Sequence, residues 1–162
     1  MKRIITKIGD IFVADIGDDK KKYFQYIAND LTQLNSDVIK VFSREYSREE
    51  TPDLNEVVKD EPDFYAHCVT KWGIKFGFWE KIGKANVLDL FEVLFKSSSD
   101  DGNKSIKISE KWWTWKINEK HKYVGRLEGE NRTAEIGSVI PPDSIVYRMR
   151  NGKYDFVYPD FE

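Results

Sequence analysis

Apolar residues fall in short runs along this chain, many alternating with polar ones, and glycine, asparagine, aspartate and proline separate the runs. Residues 11–16 form a brief stretch rich in β-formers, which predicts a strand. The cluster Gly17-Asp18-Asp19-Lys20 predicts a turn, with Asp15, Asp18 and Asp19 as hairpin-turn carboxylates, and residues 22–28 a second strand closing a hairpin. Asn29-Asp30 ends it. Val38, Ile39, Val41 and Phe42 give residues 36–42 the character of a third strand.

Residues 44–63 break this rhythm. They are strongly charged and contain Pro52 and Pro62. Leu54, Val57 and Val58 lie at i, i+3 and i+4, a helical spacing. Thr51 as N-cap and Pro52 at the first helical position predict a short helix over 52–59, ended by Pro62. Strand pattern resumes over 64–70. The aromatic stretch 72–79 is interrupted by Gly73 and Gly77 and fits neither period. Phe91, Val93 and Phe95 alternate with Glu92 and Leu94, which favours a strand within 88–96.

Residues 97–103, including Asp100-Asp101-Gly102-Asn103, read as a surface loop. Residues 112–118 read as a half-buried strand and 123–127 as another. Residues 145–150 and 154–158 flank Asn151-Gly152, which predicts a closing hairpin, because a type I′ turn needs positive φ at both central positions. No repeat, linker or low-complexity tract interrupts residues 1–162, so one domain is expected. The expected class is α+β, predominantly antiparallel, as a bent sheet or partial SH3-like barrel with one or two short helices.

Composition narrows the chemistry. Five Trp, eight Tyr and ten Phe within a 40% hydrophobic chain are enough for a packed core. The net charge of −2 and pI near 5.8 argue against a dedicated nucleic-acid binder. Cys68 is the only cysteine, so neither an internal disulfide nor a cysteine-rich zinc site can form. No signal-peptide core and no run of about 20 apolar residues is present, so the cytoplasm is the expected compartment.

No catalytic set emerges. His67 and His121 are the only histidines, too few for a zinc centre with one cysteine. His67 and Cys68 are adjacent, but neighbours on a strand point to opposite faces and cannot act as base and nucleophile together. The glycines form neither GxGxxG nor a Walker loop, and there is no GxSxG elbow. The expectation is therefore no catalytic residue, no metal and no cofactor.

Two features remain as binding surfaces. The first is the acidic segment, with Glu49, Glu50, Asp53, Glu56, Asp60, Glu61 and Asp63 suited to a basic partner. The second is the tryptophan run. Trp113, Trp115 and Ile117 share one strand face and are expected in the core. That leaves Trp112 facing the other way, as an interface anchor or under a loop.

Ile8-Gly9-Asp10-Ile11-Phe12-Val13-Ala14, followed by Lys22-Tyr23-Phe24-Gln25-Tyr26-Ile27, resembles the opening of the immunity protein 26 family of bacterial polymorphic toxin systems. Members begin with a Gly-Asp-x-Phe strand and a Tyr-x-x-Gln-like second strand. The likeness covers the N-terminal quarter, and Phe24 stands where a glycine is common. It implies a β-rich protein that binds and neutralises a cognate protein toxin, without catalytic residues to carry over. Gly-Asp openings also occur in SH3-like barrels that bind or cut RNA. That alternative predicts a basic groove at Lys20, Lys21 and Lys22 with Tyr23 and Tyr26 as stacking rings. A structural protein of a phage or mobile element is the third reading.

Overall fold

The computed structural model describes residues 2–88 and 92–162. Phe91, counted in the strand expected over 88–96, lies outside them. Strands β1 (Asp10–Gly17) and β2 (Lys20–Asp30) form the expected hairpin. Gly17 pairs with Lys20, which leaves Asp18 and Asp19 as a two-residue loop with φ of 53° and 58°. Positive φ at both centres is the type I′ geometry that matches strand twist.

β3 (Ser36–Phe42), β4 (Tyr46–Ser47), α1 (Leu54–Val57), β5 (Pro62–Cys68), α2 (Thr70–Lys75) and β6 (Glu80–Lys84) follow. Strands β5-β3-β2-β1-β6 lie side by side in that order, with β4 on the start of β2. All these pairings are antiparallel. A second sheet contains β7 (Leu94–Ser98), β8 (Trp112–Lys116), β9 (Lys122–Gly125) and β10 (Glu135–Ile136), in the order β10-β7-β8-β9. Its β10–β7 pair is parallel. A 3-10 turn (Gly129–Thr133) precedes β10, and α3 (Pro142–Asn151) follows it. The architecture is α+β and mostly antiparallel, with short helices and no closed barrel. Among the described residues no helix is long and apolar enough to cross a membrane.

The first sheet is covered on both faces. One face places Phe12, Phe24, Ile39, Val41 and Phe64 against Trp79 and against Ile145, Val146 and Met149 of α3. The other places Ile11, Tyr23, Phe42 and Tyr46 against Val57 and Val58 at the end of α1. Ile27 and Val38 meet Phe95 and Trp115, which joins the two sheets.

Three expectations are corrected. The sequence around Asn151-Gly152 is the end of α3, not a hairpin. Gly152 sits at φ 78° and donates its N–H to Arg148 O at 2.8 Å, closing the helix. A left-handed glycine serves a helix C-terminus as well as a turn, and buried Ile145, Val146 and Met149 follow a helical face. Residues 154–158 form no strand; Tyr154 and Phe156 stack with centroids 4.8 Å apart and pack on the core. Helix α1 is shorter than 52–59. Its N-cap is Asp53 rather than Thr51, with the carboxylate accepting from Asn55 N at 2.9 Å.

Asp30, at the end of β2, is fully buried and ties the sheets together. Its Oδ2 accepts from His67 Nε2 on β5 and from Trp115 Nε1 on β8, both at 2.9 Å. Its Oδ1 accepts from Asn118 N at 3.0 Å and from Thr32 Oγ1 at 2.7 Å. Burial alone would raise the Asp30 pKa, but the bonds from His67, Thr32, Asn118 and Trp115 outweigh it and hold the carboxyl at about 2. Burial pushes the His67 ring down, so it stays neutral and donates through Nε2–H. His121 stacks on the Trp115 ring at 3.7 Å.

Asp30→Asn turns an acceptor toward donors, and we expect it to cost about 3 kcal/mol in urea unfolding. Acid should destabilise in two windows. The unfolded chain takes up the His67 proton first, so stability falls below about pH 6.5, the ordinary histidine value. The Asp30 contribution is complete above about pH 4 and is lost between about pH 4 and 2. An unfolding midpoint that stays flat between about pH 7 and 5 would refute the neutral, buried ring.

Candidate partner-binding surface

Helix α2 and the residues after it build a surface that the strand pattern did not suggest. Thr70 is anchored first. Its N–H and Oγ1 donate to Asp37 Oδ2 at 2.9 and 2.6 Å, and Oγ1 lies 2.7 Å from Thr6 Oγ1. The helix runs one turn and a half. Gly77, at φ 79°, donates to Ile74 O at 3.2 Å and turns the chain back. Trp79 then folds under the helix. Its Nε1–H reaches Thr70 O at 2.8 Å, and its ring meets Phe24 edge-on at 4.9 Å. Gly73 leaves the room for that ring: a Cβ there would stand 1.8 Å from Trp79 Cε2.

With Trp79 inside, the other aromatic residues of the segment face outward. Trp72 is 50% exposed, Phe76 61% and Phe78 37%. Trp72 and Phe76 are one helical turn apart, so they share a side. Residues 2–6 pass beside them, and Ile5 adds apolar area at 51% exposure. An open groove of about 950 Å³ runs between this N-terminal segment, Phe78 and β6. Another, of about 530 Å³, lies between Arg3, Ile4, Trp72 and Lys75.

The rim is basic. Lys2, Arg3, Lys71 and Lys75 make no ion pair among the described residues. Three nearby carboxylates are committed elsewhere. Asp37 is held by Thr70, and Asp10 accepts from Lys7 N at 2.7 Å with Lys81 at 3.5 Å. Asp15 accepts from Gly17 N and from Arg48 Nη2. Those contacts, the Gly17 N–H foremost, hold its carboxyl below the ordinary range. Glu80 is exposed on the same rim.

The acidic residues expected to bind a partner lie in and around α1, β4 and the start of β5. Several have internal duties. Asp53 caps α1, and Asp60 Oδ2 accepts from Tyr46 Oη at 2.8 Å. Asp63 pairs with Lys22 at 3.0 Å, Glu56 with Lys59 at 3.0 Å, and Glu50 Oε1 accepts from Ser47 N. Glu49 and Glu61 are exposed. Trp112 does not join them. It belongs to the second sheet and is fully buried, with Nε1–H donating to Ser109 O at 2.7 Å and Lys96 over its ring. The expected exposed anchor is therefore a core residue: β8 is covered on both faces, so strand alternation does not separate core from surface there.

The alternative stacking platform is also corrected. Tyr23 and Tyr26 are buried, Lys22 is buried against Asp63, and Lys20 pairs with Glu45. His67 and Cys68 are both fully buried, and burial raises the Cys68 thiol well above its ordinary value. Among the described residues no three His, Cys, Asp or Glu converge as metal ligands. Compared with protein-family models, curated proteins and solved structures, the chain matches none.

Sequence reasoning missed this surface, although a helical signal was present. Lys71 and Lys75, Trp72 and Phe76, and Gly73 and Gly77 are three interleaved i, i+4 pairs. Gly73→Ala provides a test with a counter-intuitive sign. In an exposed helix that change adds up to about 1 kcal/mol of stability. Against the Trp79 ring it should instead cost about 1–3 kcal/mol. Trp72→Ala should alter the unfolding free energy, read from urea titration, by less than about 0.5 kcal/mol.

Proposed function

We propose that this chain works by association, as an immunity-type protein of the cytoplasm that covers and neutralises a cognate bacterial protein toxin, and that the α2 surface is the face it presents. The observation that supports this most is the outward display of Trp72, Phe76 and Phe78, with Ile5 on the same grooves. Water-facing aromatic groups clustered in this way mark interaction sites more often than monomer surfaces. Tryptophan at the centre of a patch is a frequent binding anchor, and a charged rim supplies orientation. The N-terminal resemblance gives the partner its class. The acidic segment is secondary in this reading, because Asp53, Asp60 and Asp63 already hold the local fold together.

Co-expression with a panel of toxin domains from bacterial polymorphic toxin systems tests the proposal through growth. The native chain should restore growth with one of them. The Trp72→Asp/Phe76→Asp double variant, checked for its native circular dichroism spectrum, should lose that protection, and charge reversal at Glu49, Glu56 and Glu61 should keep it. Neutralisation of none of the toxins would remove the immunity reading. Full protection by the double variant would remove the α2 face from it.

A further inference from the structure

We propose that the α2 face docks an acidic protein surface, one in which carboxylates surround an apolar centre. This inference rests on the binding role given to that face above. Three observations lead to it.

The first is charge without partners. Lys71 and Lys75 are one helical turn apart, and like charges at that spacing repel by a few tenths of a kcal/mol. Neither finds a carboxylate among the described residues, and Lys2 and Arg3 lie on the same grooves in the same condition. Lys75 sits 5.8 Å from the Phe76 ring centroid, so aromatic and cation are presented together. An incoming carboxylate would relieve the repulsion and gain a neighbouring apolar contact.

The second is polarity across the first sheet. The chain carries a net charge of −2, yet the wider groove is lined by Lys2, Arg3, Lys21, Arg48 and Lys81 against Asp15 and Glu80. Asp53, Glu56 and Asp60 belong to α1 and its flanks, whose Val57 and Val58 pack on the face of the sheet opposite to the one Trp79 covers. A molecule with one acidic and one basic side orients an acidic partner during encounter and repels it from the wrong side.

The third is the shape of the apolar centre. Ile4, Ile5 and Ile74 line the grooves with Trp72 and Phe78. Flat rings serve stacked bases, whereas branched aliphatic side chains fill the hollows of a protein surface. The outer edge strand, β6, is short and carries Glu80, Lys81 and Lys84. Charges of that kind guard an edge against strand addition, so docking falls to side chains.

The test follows the amide and indole NMR signals of the full-length ¹⁵N-labelled chain. The probe is a short synthetic peptide in which Glu alternates with Leu and Phe. Controls are the same peptide with Lys for Glu, and single-stranded oligothymidylate. The acidic peptide should shift the Trp72 indole and the amides of residues 71–78. Its affinity should fall on the order of tenfold in Lys71→Glu/Lys75→Glu, and its affinity for the native chain should fall with added salt. Equal or tighter binding of the lysine peptide overturns the proposal, as does binding of the oligonucleotide alone, or of no probe. The growth assay separates the two claims. If Lys71→Glu/Lys75→Glu protects fully while Trp72→Asp/Phe76→Asp does not, the acidic partner falls and the binding role stands. If no variant and no native chain protects, the immunity role falls, while the peptide titration still decides the chemistry of the face.

Discussion

A fully buried carboxylate in an otherwise apolar junction is costly unless donors surround it. Asp30 meets that condition by collecting bonds from β5, from β8 and from the turns that follow β2 and β8. The arrangement is stricter than apolar packing. Phe95 and Trp115 could shift by a fraction of an ångström against Ile27 and Val38 at small cost, but hydrogen-bond geometry tolerates little such sliding. Asp30 therefore fixes the register of one sheet on the other. It also accounts for the two histidines: His67 is a donor to that carboxylate, and His121 caps the indole that shares it.

The candidate surface grows from a second constraint of the same kind. Trp79 must lie beneath α2 to cover Phe24, and only a glycine at position 73 admits it. Once that space is taken, the remaining aromatic side chains of the segment have no interior left and face water. The core and the exposed patch are two outcomes of one local packing solution. The acidic flank has a different origin. Its carboxylates largely cap, bridge and brace a short helix, which is how a stretch with so few apolar residues remains folded.

The fold class was legible because the first three strands carry their pattern openly, with turn residues where the chain reverses. The rest was obscured for identifiable reasons. Asn-Gly serves two left-handed geometries, and only the burial of Ile145 and Met149 chooses the helix over the hairpin. Trp112 lies on a strand covered from both sides, where alternation no longer reports exposure. The α2 surface was hidden because Gly73 reads as a helix breaker until its contact with Trp79 is seen. Asp30 looked like a turn residue, and nothing local reveals that its donors lie far along the chain, at His67, Trp115 and Asn118.

Helix α3 closes over a sheet made from residues far earlier in sequence. Ile145, Val146 and Met149 complete the face begun by Phe12 and Phe24, and Arg150 Nε reaches back to Ile16 O at 2.8 Å. During synthesis the early hairpins can form as soon as they emerge, yet their oily side stays uncapped until α3, more than a hundred residues later, has left the ribosome. Nascent molecules thus pass through an interval in which that side is open to chaperones or to one another.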